Sequence, residues 1–384
     1  MMVAVRPVAS VAGDAPTIPT RAADPAAGWE IEVVRGWSAV LDAVGGAARR
    51  EWERLVAESD RVAVYQSPGF VLTWYEVYEP AYEPLLLLGR SREGALVGVM
   101  PLALPRRGGA RLHFAGAEHC EYTGWLAAPA LGDEFPAACV ARLAEAGLFT
   151  APWRWRWLAP GASLSWIAHP ALRARGIVGR VRETQNPLVR LQSPESTRFF
   201  DPQGKNFKRK MNRLKRLGEV RLVQLDAGTL SPSLMERLQA TYDVRQLARY
   251  GVAPFSEDPR KGEFHRRLLE RAPESTLLFA LMAGAIPVAF NFTLVDRRRA
   301  IYCMSPFDYR QLAASPGKLI GDLVVGGLAA RGFELLDQTP GGDAYKEEVA
   351  SDHETVQGLM LYPSPRAARR ADVRDRLPAL ARRA

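Results

Sequence analysis

Lysine is scarce in this chain: of 51 basic residues only seven are lysine, at 205, 208, 210, 215, 261, 318 and 346. Arginine is the default cation here, so each lysine stands out as a compact, mobile charge suited to a phosphate or a developing oxyanion. Cysteine is scarcer still. Cys120, Cys139 and Cys303 have no metal-ligand spacing and are too few for a disulfide framework, so a reducing cytoplasm is the expected setting and no metal is expected. No apolar run approaches the roughly 20 residues of a spanning helix, which excludes a membrane span. Residues 1–28 carry scattered prolines, one early arginine (Arg6) and Asp14 where the apolar core of a signal would continue; they read as a disordered leader, not a secretion signal.

What is present is the material of a soluble globular protein. The chain has 384 residues, 47% hydrophobic and 24% charged, enough for two ordinary domains or one duplicated one. Its net charge of +9 is local: Lys205–Arg221 carries +7 and Ser364–Ala384 carries +5, which leaves the body slightly acidic. A general nucleic-acid-binding surface is therefore not indicated.

Along the chain, Trp29–Val34 reads as a strand and Leu41–Ala57 as an amphipathic helix. Ser67 opens a helix whose Phe70, Leu72, Trp74, Tyr75 and Tyr78 form a core stripe. Residues 85–104 are two apolar strands around a polar turn, and the same order returns at 276–295. An arginine-rich break follows each, Arg106-Arg107 and Arg297-Arg298-Arg299. This internal repeat implies two similar α/β halves, 29–185 and 186–362, with a hinge around Gly179–Pro194 and a basic tail over 363–384. A helix is expected near Ala137–Ala146. WRWRWL (153–158) alternates tryptophan with arginine, as a half-buried strand does; base stacking is the other reading of that pattern. The second half reads as strands at Leu188–Leu191 and Val220–Leu225, with helices at Phe199–Leu217, Ser233–Tyr250 and near Glu263–Arg271. On the first of these helices Phe207, Met211, Leu214 and Leu217 share one face. Lys208 and Lys215 occupy another, either a solvated face or a wall that binds phosphate or carboxylate. The tail is read as frayed, with contact to anionic membrane or RNA as the alternative.

The most informative stretch is Ala300–Glu347. It reads as a strand, a loop, a helix opening at Ser315-Pro316-Gly317-Lys318, a strand at Phe333–Asp337 and a glycine-rich turn ending in Tyr345-Lys346. Serine at the cap and proline at the first position specify the helix start. Gly317 permits close approach to the backbone, the first-turn N–H groups and dipole favour an anion, and Lys318 adds charge. The plain alternative is a well-capped helix and nothing more; Ser67-Pro68-Gly69 shows the same start without a lysine.

The succession NFKRKMNRLKRLGEV, LLFALMAGAIPVAFNF and IYCMSPFDYRQLAASPGKLIGDLVVGGLAARGFELLDQTPGGDAYKEE resembles the CelD-like acetyltransferases of the GNAT superfamily, which are similar to the two-GNAT Fem-type aminoacyltransferases. The resemblance is clearest over 186–350, and 29–185 fits a weaker first repeat. It implies a tandem GNAT-like acyl-CoA N-acyltransferase fold of mixed α/β type. The implied activity is acyl transfer from a thioester, acetyl-CoA or longer, to an amine or hydroxyl of a small-molecule, sugar or amino-acid acceptor, in bacterial envelope or exopolysaccharide synthesis. Ser315, Gly317, Lys318 and Leu319 would then receive the pyrophosphate, and Ala300–Met304 would be the fourth strand, whose splayed edge faces the thioester. The sequence departs from the simple GNAT signature in having one glycine where several precede the helix. An acyl carrier protein or aminoacyl-tRNA is accordingly an alternative donor, and a non-catalytic double-GNAT scaffold an alternative role. The long helical hairpin of many Fem-type proteins has no room here.

Acyl transfer needs a base, an oxyanion donor and an acid for the leaving thiolate. Candidates are Asp308 as base, Tyr302 or Tyr345 as acid or hydrogen-bond donor, and Lys346 as electrostatic stabiliser. Asp337, Lys208 and Lys215 are candidates to position substrate, with His119 and Tyr122 of the first half beside Glu118 and Glu121. Asp308 and Asp337 equally suit loop capping. Cys303 has no histidine near it in sequence and is the least promising nucleophile.

Overall fold

The computed structural model describes residues 28–109, 111–192, 204–341 and 344–371. The expected leader and the end of the tail, 372–384, lie outside the described residues, as do 199–203 at the expected start of the basic helix. The chain forms two compact units, one of residues 28–185 with 355–371 and one of Asn186–Glu354.

The first unit runs β1 (Trp29–Arg35), α1 (Trp37–Ala43), α2 (Ala47–Glu58), α3 (Pro68–Tyr78), β2 (Tyr82–Ser91), β3 (Leu96–Pro105), β4 (His113–Phe114), β5 (Leu126–Ala127), α4 (Glu134–Glu145), β6 (Trp153–Trp155), α5 (Pro170–Ala174) and most of β7 (Val178–Arg190). Where one helix was expected over 41–57 there are two. Gly45-Gly46 separates them, and Gly46 takes φ 56, a left-handed value that favours glycine. Ser67 does cap α3, its hydroxyl accepting from the Phe70 N–H with Pro68 at the first position. The sheet is antiparallel in the order β1-β2-β3-β4, with β5 also on β3. β2 and β3 are covered on both faces, which is why they read as unbroken apolar runs. Gly89 lies opposite Gly98 because the Phe135 ring crosses both; a Cβ at Gly98 would come within 2.3 Å of it. Strand β7 runs through Gly179, which is packed against Ile167, and the boundary between the two units falls further along it, between Gln185 and Asn186.

The second unit runs α6 (Lys205–Leu214), β8 (Val220–Leu225), α7 (Pro232–Tyr250), α8 (Pro254–Glu257), α9 (Arg260–Arg271), β9 (Thr276–Ala283), β10 (Ile286–Asp296), β11 (Arg299–Met304), α10 (Pro316–Ala330), β12 (Leu335–Asp337), α11 (Ala344–Val349) and the start of β13 (Asp352–Tyr362). Strands β8 to β11 are antiparallel neighbours, β12 is parallel to β11, and the Leu188–Arg190 end of β7 pairs antiparallel with β12. From Thr355 onward β13 belongs to the first unit, where Leu359 lies opposite Trp155. One sheet face carries Leu277, Phe279 and Leu281 against Leu214 of α6 and Leu319, Ile320 and Leu328 of α10. Each such buried side chain contributes about 1.5–3 kcal/mol before its entropy cost. On the other face His265 of α9 meets Phe292 edge-on at 4.9 Å. Among the described residues no helix is long and apolar enough to cross a membrane.

Candidate active site

Parallel pairing of β11 with β12 lasts for only three residues, ending at Ile301 opposite Asp337. Beyond it the strands part. Cys303 is the extra residue of a bulge, since Phe292 pairs with Met304 and Thr293 with Tyr302. The parting opens a cavity of about 410 Å³ with a largely apolar wall that includes Val324, Val325 and Leu336.

One end of the cavity is the start of α10, where Ser315, Gly317, Lys318 and Gly321 line it. Ser315 holds the cap position in a left-handed conformation (φ 49, ψ 57), and its side chain makes no capping bond. Its carbonyl instead accepts from the N–H groups of both Lys318 and Leu319 at 3.1 Å. Pro316 has no N–H, so the Gly317 N–H is what the first turn can offer a ligand. The glycine there is explained by packing: a Cβ would lie 2.6 Å from the Phe307 ring. Leu319 is fully buried in the core and does not line the cavity. The charge at this corner is built from two helices. Lys318 Nζ lies 3.5 Å from Asp322 Oδ1. Burial lowers the Lys210 ammonium, with Lys318 adding to the effect; burial likewise raises Asp322 against the pull of Lys318 and Lys210. Of the basic face of α6, then, Lys210 reaches the corner, while Lys208 and Lys215 are exposed.

The polar wall comes from α7, β10, β11 and α11. Arg245 of α7 donates to the Ser305 carbonyl at 2.8 Å, and its guanidinium lies 5.9 Å from the Phe307 ring centroid. Burial works against its charge, but the neighbouring hydroxyls of Tyr302, Tyr345 and Tyr309 outweigh that and leave it above its ordinary value. Burial raises the Tyr302 hydroxyl, against its bond to Ser305 and the charge of Arg245. Tyr302 and Tyr345 both line the cavity, as do Asn291, Gln338 and Glu348. Asn291 is fully buried; its carbonyl accepts from the Thr293 hydroxyl at 2.8 Å, and its Nδ2 has no partner among the described residues.

Several residues singled out from sequence do other work. Asp308 caps the turn that follows it and is held by Arg310 and by Arg237 at 2.7 Å; the Arg310 bond keeps it below the usual carboxylate range. Asp337 is fully buried, bonded to Arg299 at 2.6 Å, to Asn186 at 2.9 Å and to the Thr339 N–H at 2.8 Å, and Arg299 also pairs with Glu354. Lys346 is buried, its Nζ on the Thr339 carbonyl at 2.9 Å, where it braces the turn before α11. None of these three lines the cavity. Cys303 donates to the Ile301 carbonyl. His119 and Tyr122 belong to the first unit, where the His119 ring meets the Tyr78 hydroxyl at 2.6 Å and Tyr122 is fully buried. Sequence reading missed Arg245, Asn291 and Glu348, and did not single Lys210 out from Lys208 and Lys215. A signal existed for two of them: Arg237, Arg245 and Arg249 are spaced by eight and four on one helix row, and Asn291 is a lone amide in an apolar strand.

A mixed sheet thus splays at the start of a helix, beside an apolar cleft lined by a few polar groups. Residues 203–347 match the family model described as acetyltransferase (GNAT) domain. The matched segment lies within the second unit and spans less than half of the chain. Similar solved structures include the C-terminal domain of a lysylphosphatidylglycerol synthetase from Agrobacterium fabrum, at 12% identity and TM-score 0.52 over 85% of this chain and 94% of that one. FemX matches at 10% identity and TM-score 0.52, over 80% of this chain and 95% of its own. A tandem GNAT protein of the clavulanic acid pathway matches at 15% identity and TM-score 0.50, over 88% and 99%. At these identities the likeness is one of fold. No curated protein matches the sequence.

Proposed function

We propose that the second unit transfers an acyl group from coenzyme A to the amine of a small acceptor. The observation that carries this reading is the continuity of one cavity from the Lys318 corner to the parting of β11 and β12. A phosphate at the corner meets the dipole of α10, the Gly317 N–H and the charges of Lys318 and Lys210. Past Ile301 the free edge of β11 offers backbone N–H groups to the oxygen of the thioester carbonyl. Glu348, which lines the cavity, takes the proton of the attacking amine in the role first considered for Asp308. The amine nitrogen bonds to the carbonyl carbon, the carbon–sulfur bond breaks, and Tyr345 protonates the departing thiolate. Arg245, hydrogen-bonded to Tyr345, orients that hydroxyl.

A second reading has one observation in its favour. Lys205, Lys208, Arg209, Lys215 and Arg216 are exposed on the helical segment that brings Lys210 to the corner. Such a surface suits a donor carried on RNA. Thermal stabilisation by acetyl-CoA and longer acyl-CoAs, set against salt-sensitive binding of transfer RNA, separates the two. The coenzyme A reading predicts a rise in Tm with acyl-CoA that Lys318→Ala weakens. No response to any acyl-CoA contradicts it.

A further inference from the structure

Two charges of opposite sign line the same cavity without a counter-charge among the described residues, Arg245 partly buried and Glu348 exposed. Arg245 and Glu348 both line it, and among the described residues neither has an ion-pair partner. Of the other charged groups at or near the cavity, Asp322 pairs with Lys318, Asp308 pairs with Arg237 and Arg310, and Arg249, which also lines it, has its guanidinium 5.2 Å from the Tyr250 ring centroid. Arg245 is partly buried, and its hydrogen bonds are to neutral groups, the Ser305 carbonyl and the Tyr345 hydroxyl. A desolvated guanidinium left to carbonyl and hydroxyl oxygens lacks the planar anion its fork of donors fits best. A second group makes the same demand. The Nδ2 of fully buried Asn291 is a donor without a partner in the same cavity, and a buried donor left unmade costs about 1–3 kcal/mol. Guanidinium, amide and tyrosine hydroxyls together form a donor-rich wall, and of the two carboxylates lining the cavity Glu348 has no ion-pair partner among the described residues.

We infer that the acceptor is an amino acid or a small amino-acid derivative, with Arg245 holding its carboxylate and Glu348 facing its amine. This deepens the acyl-transfer reading and rests on it for the role of the amine, while the recognition itself is a binding property. Asn291 contributes its free donor to the same ligand. In this account Arg237, which shares the helix row but is spent on Asp308, plays no part. A sugar acceptor without a charged group would leave Arg245 unanswered.

Binding separates this proposal from the donor question. The full chain is titrated by thermal shift with a panel of L-amino acids and the corresponding L-amino-acid amides, without donor, and in parallel with coenzyme A alone. The expected result is that at least one acid stabilises the protein and binds about tenfold or more tightly than its amide, the size of a lost charge-assisted contact. In Arg245→Gln that preference disappears, while stabilisation by coenzyme A persists and certifies the fold. Arg245→Lys, which keeps the charge and loses the fork, recovers part of the preference. Equal response to acid and amide, no response to any acid, or a preference retained in Arg245→Gln overturns the proposal. Absence of a coenzyme A response with the acid preference intact overturns the donor reading instead, and leaves the carboxylate site standing.

Discussion

The two units repeat one order of elements, and among the described residues the second holds far more open space than the first at the corresponding place. In the first, α4 follows the short β4 and β5 as α10 follows β11, and β6 follows α4 as β12 follows α10. Yet α4 begins with Asp133 at its cap and Glu134 in its first turn. Asp133 accepts from the Ser163 hydroxyl at 3.1 Å and from Ser165, and Glu134 lies 3.0 Å from the His169 ring. The helix start therefore supplies its own anions, whereas α10 starts with serine, proline, glycine and lysine. Side-chain volume differs as well. Trp153 and Trp155 of β6 are fully buried against Phe114 and Trp166, and the pocket beside Thr123 and Trp125 holds about 10 Å³ against about 410 Å³ in the second unit. A repeated topology thus does not make a repeated site; the sign of charge at one helix start and the bulk of the strand after it do.

The strongest way to disturb the second unit without touching its cavity is Arg299→Leu. It leaves the Asp337 carboxylate buried without its cation, and a loss of about 3–5 kcal/mol in denaturant unfolding is expected. A Tyr345→Phe variant should keep that stability and lose about 10²-fold in kcat, the ordinary contribution of a proton donor; unchanged turnover would remove Tyr345 from the mechanism. Acid sharpens the contrast through His265, whose pKa burial among Phe255, Phe264 and Phe292 pushes from 6.5 to about 3. Its folded pKa lies below its unfolded one, so stability is full above pH 6.5 and falls toward pH 3, by about 2 kcal/mol at pH 5. Replacement by phenylalanine should flatten the Tm profile over that window. Smallest is Asp133→Ser in the first unit, which should change stability by no more than about 0.5–1 kcal/mol and leave coenzyme A binding untouched.

How much of this was legible in the sequence depends on what each residue had to reveal. The repeated hairpins at 85–104 and 276–295, strand β8 and helices α7 and α10 follow from apolar period and capping, which are local. The Ser-Pro-Gly-Lys start was visible too, but the reasons for its parts were not: Gly317 answers to the Phe307 ring and Ser315 works through its carbonyl, both matters of contact. Lys210 could not be told from Lys208 and Lys215, because which lysine meets Lys318 depends on how α6 docks on α10. Asp308, Asp337 and Lys346 look catalytic in a string and are consumed by arginines and a threonine once the loops close. Arg245 lies far along the chain from the helix start, and only the fold brings both to one cavity.

The central claim is that one unit binds the donor and its repeat does not. Calorimetric titration of coenzyme A into the intact chain tests this directly. The prediction is a single site per chain that Lys318→Glu abolishes and Asp133→Ser leaves unchanged. Two sites per chain, or binding indifferent to Lys318→Glu, would contradict it.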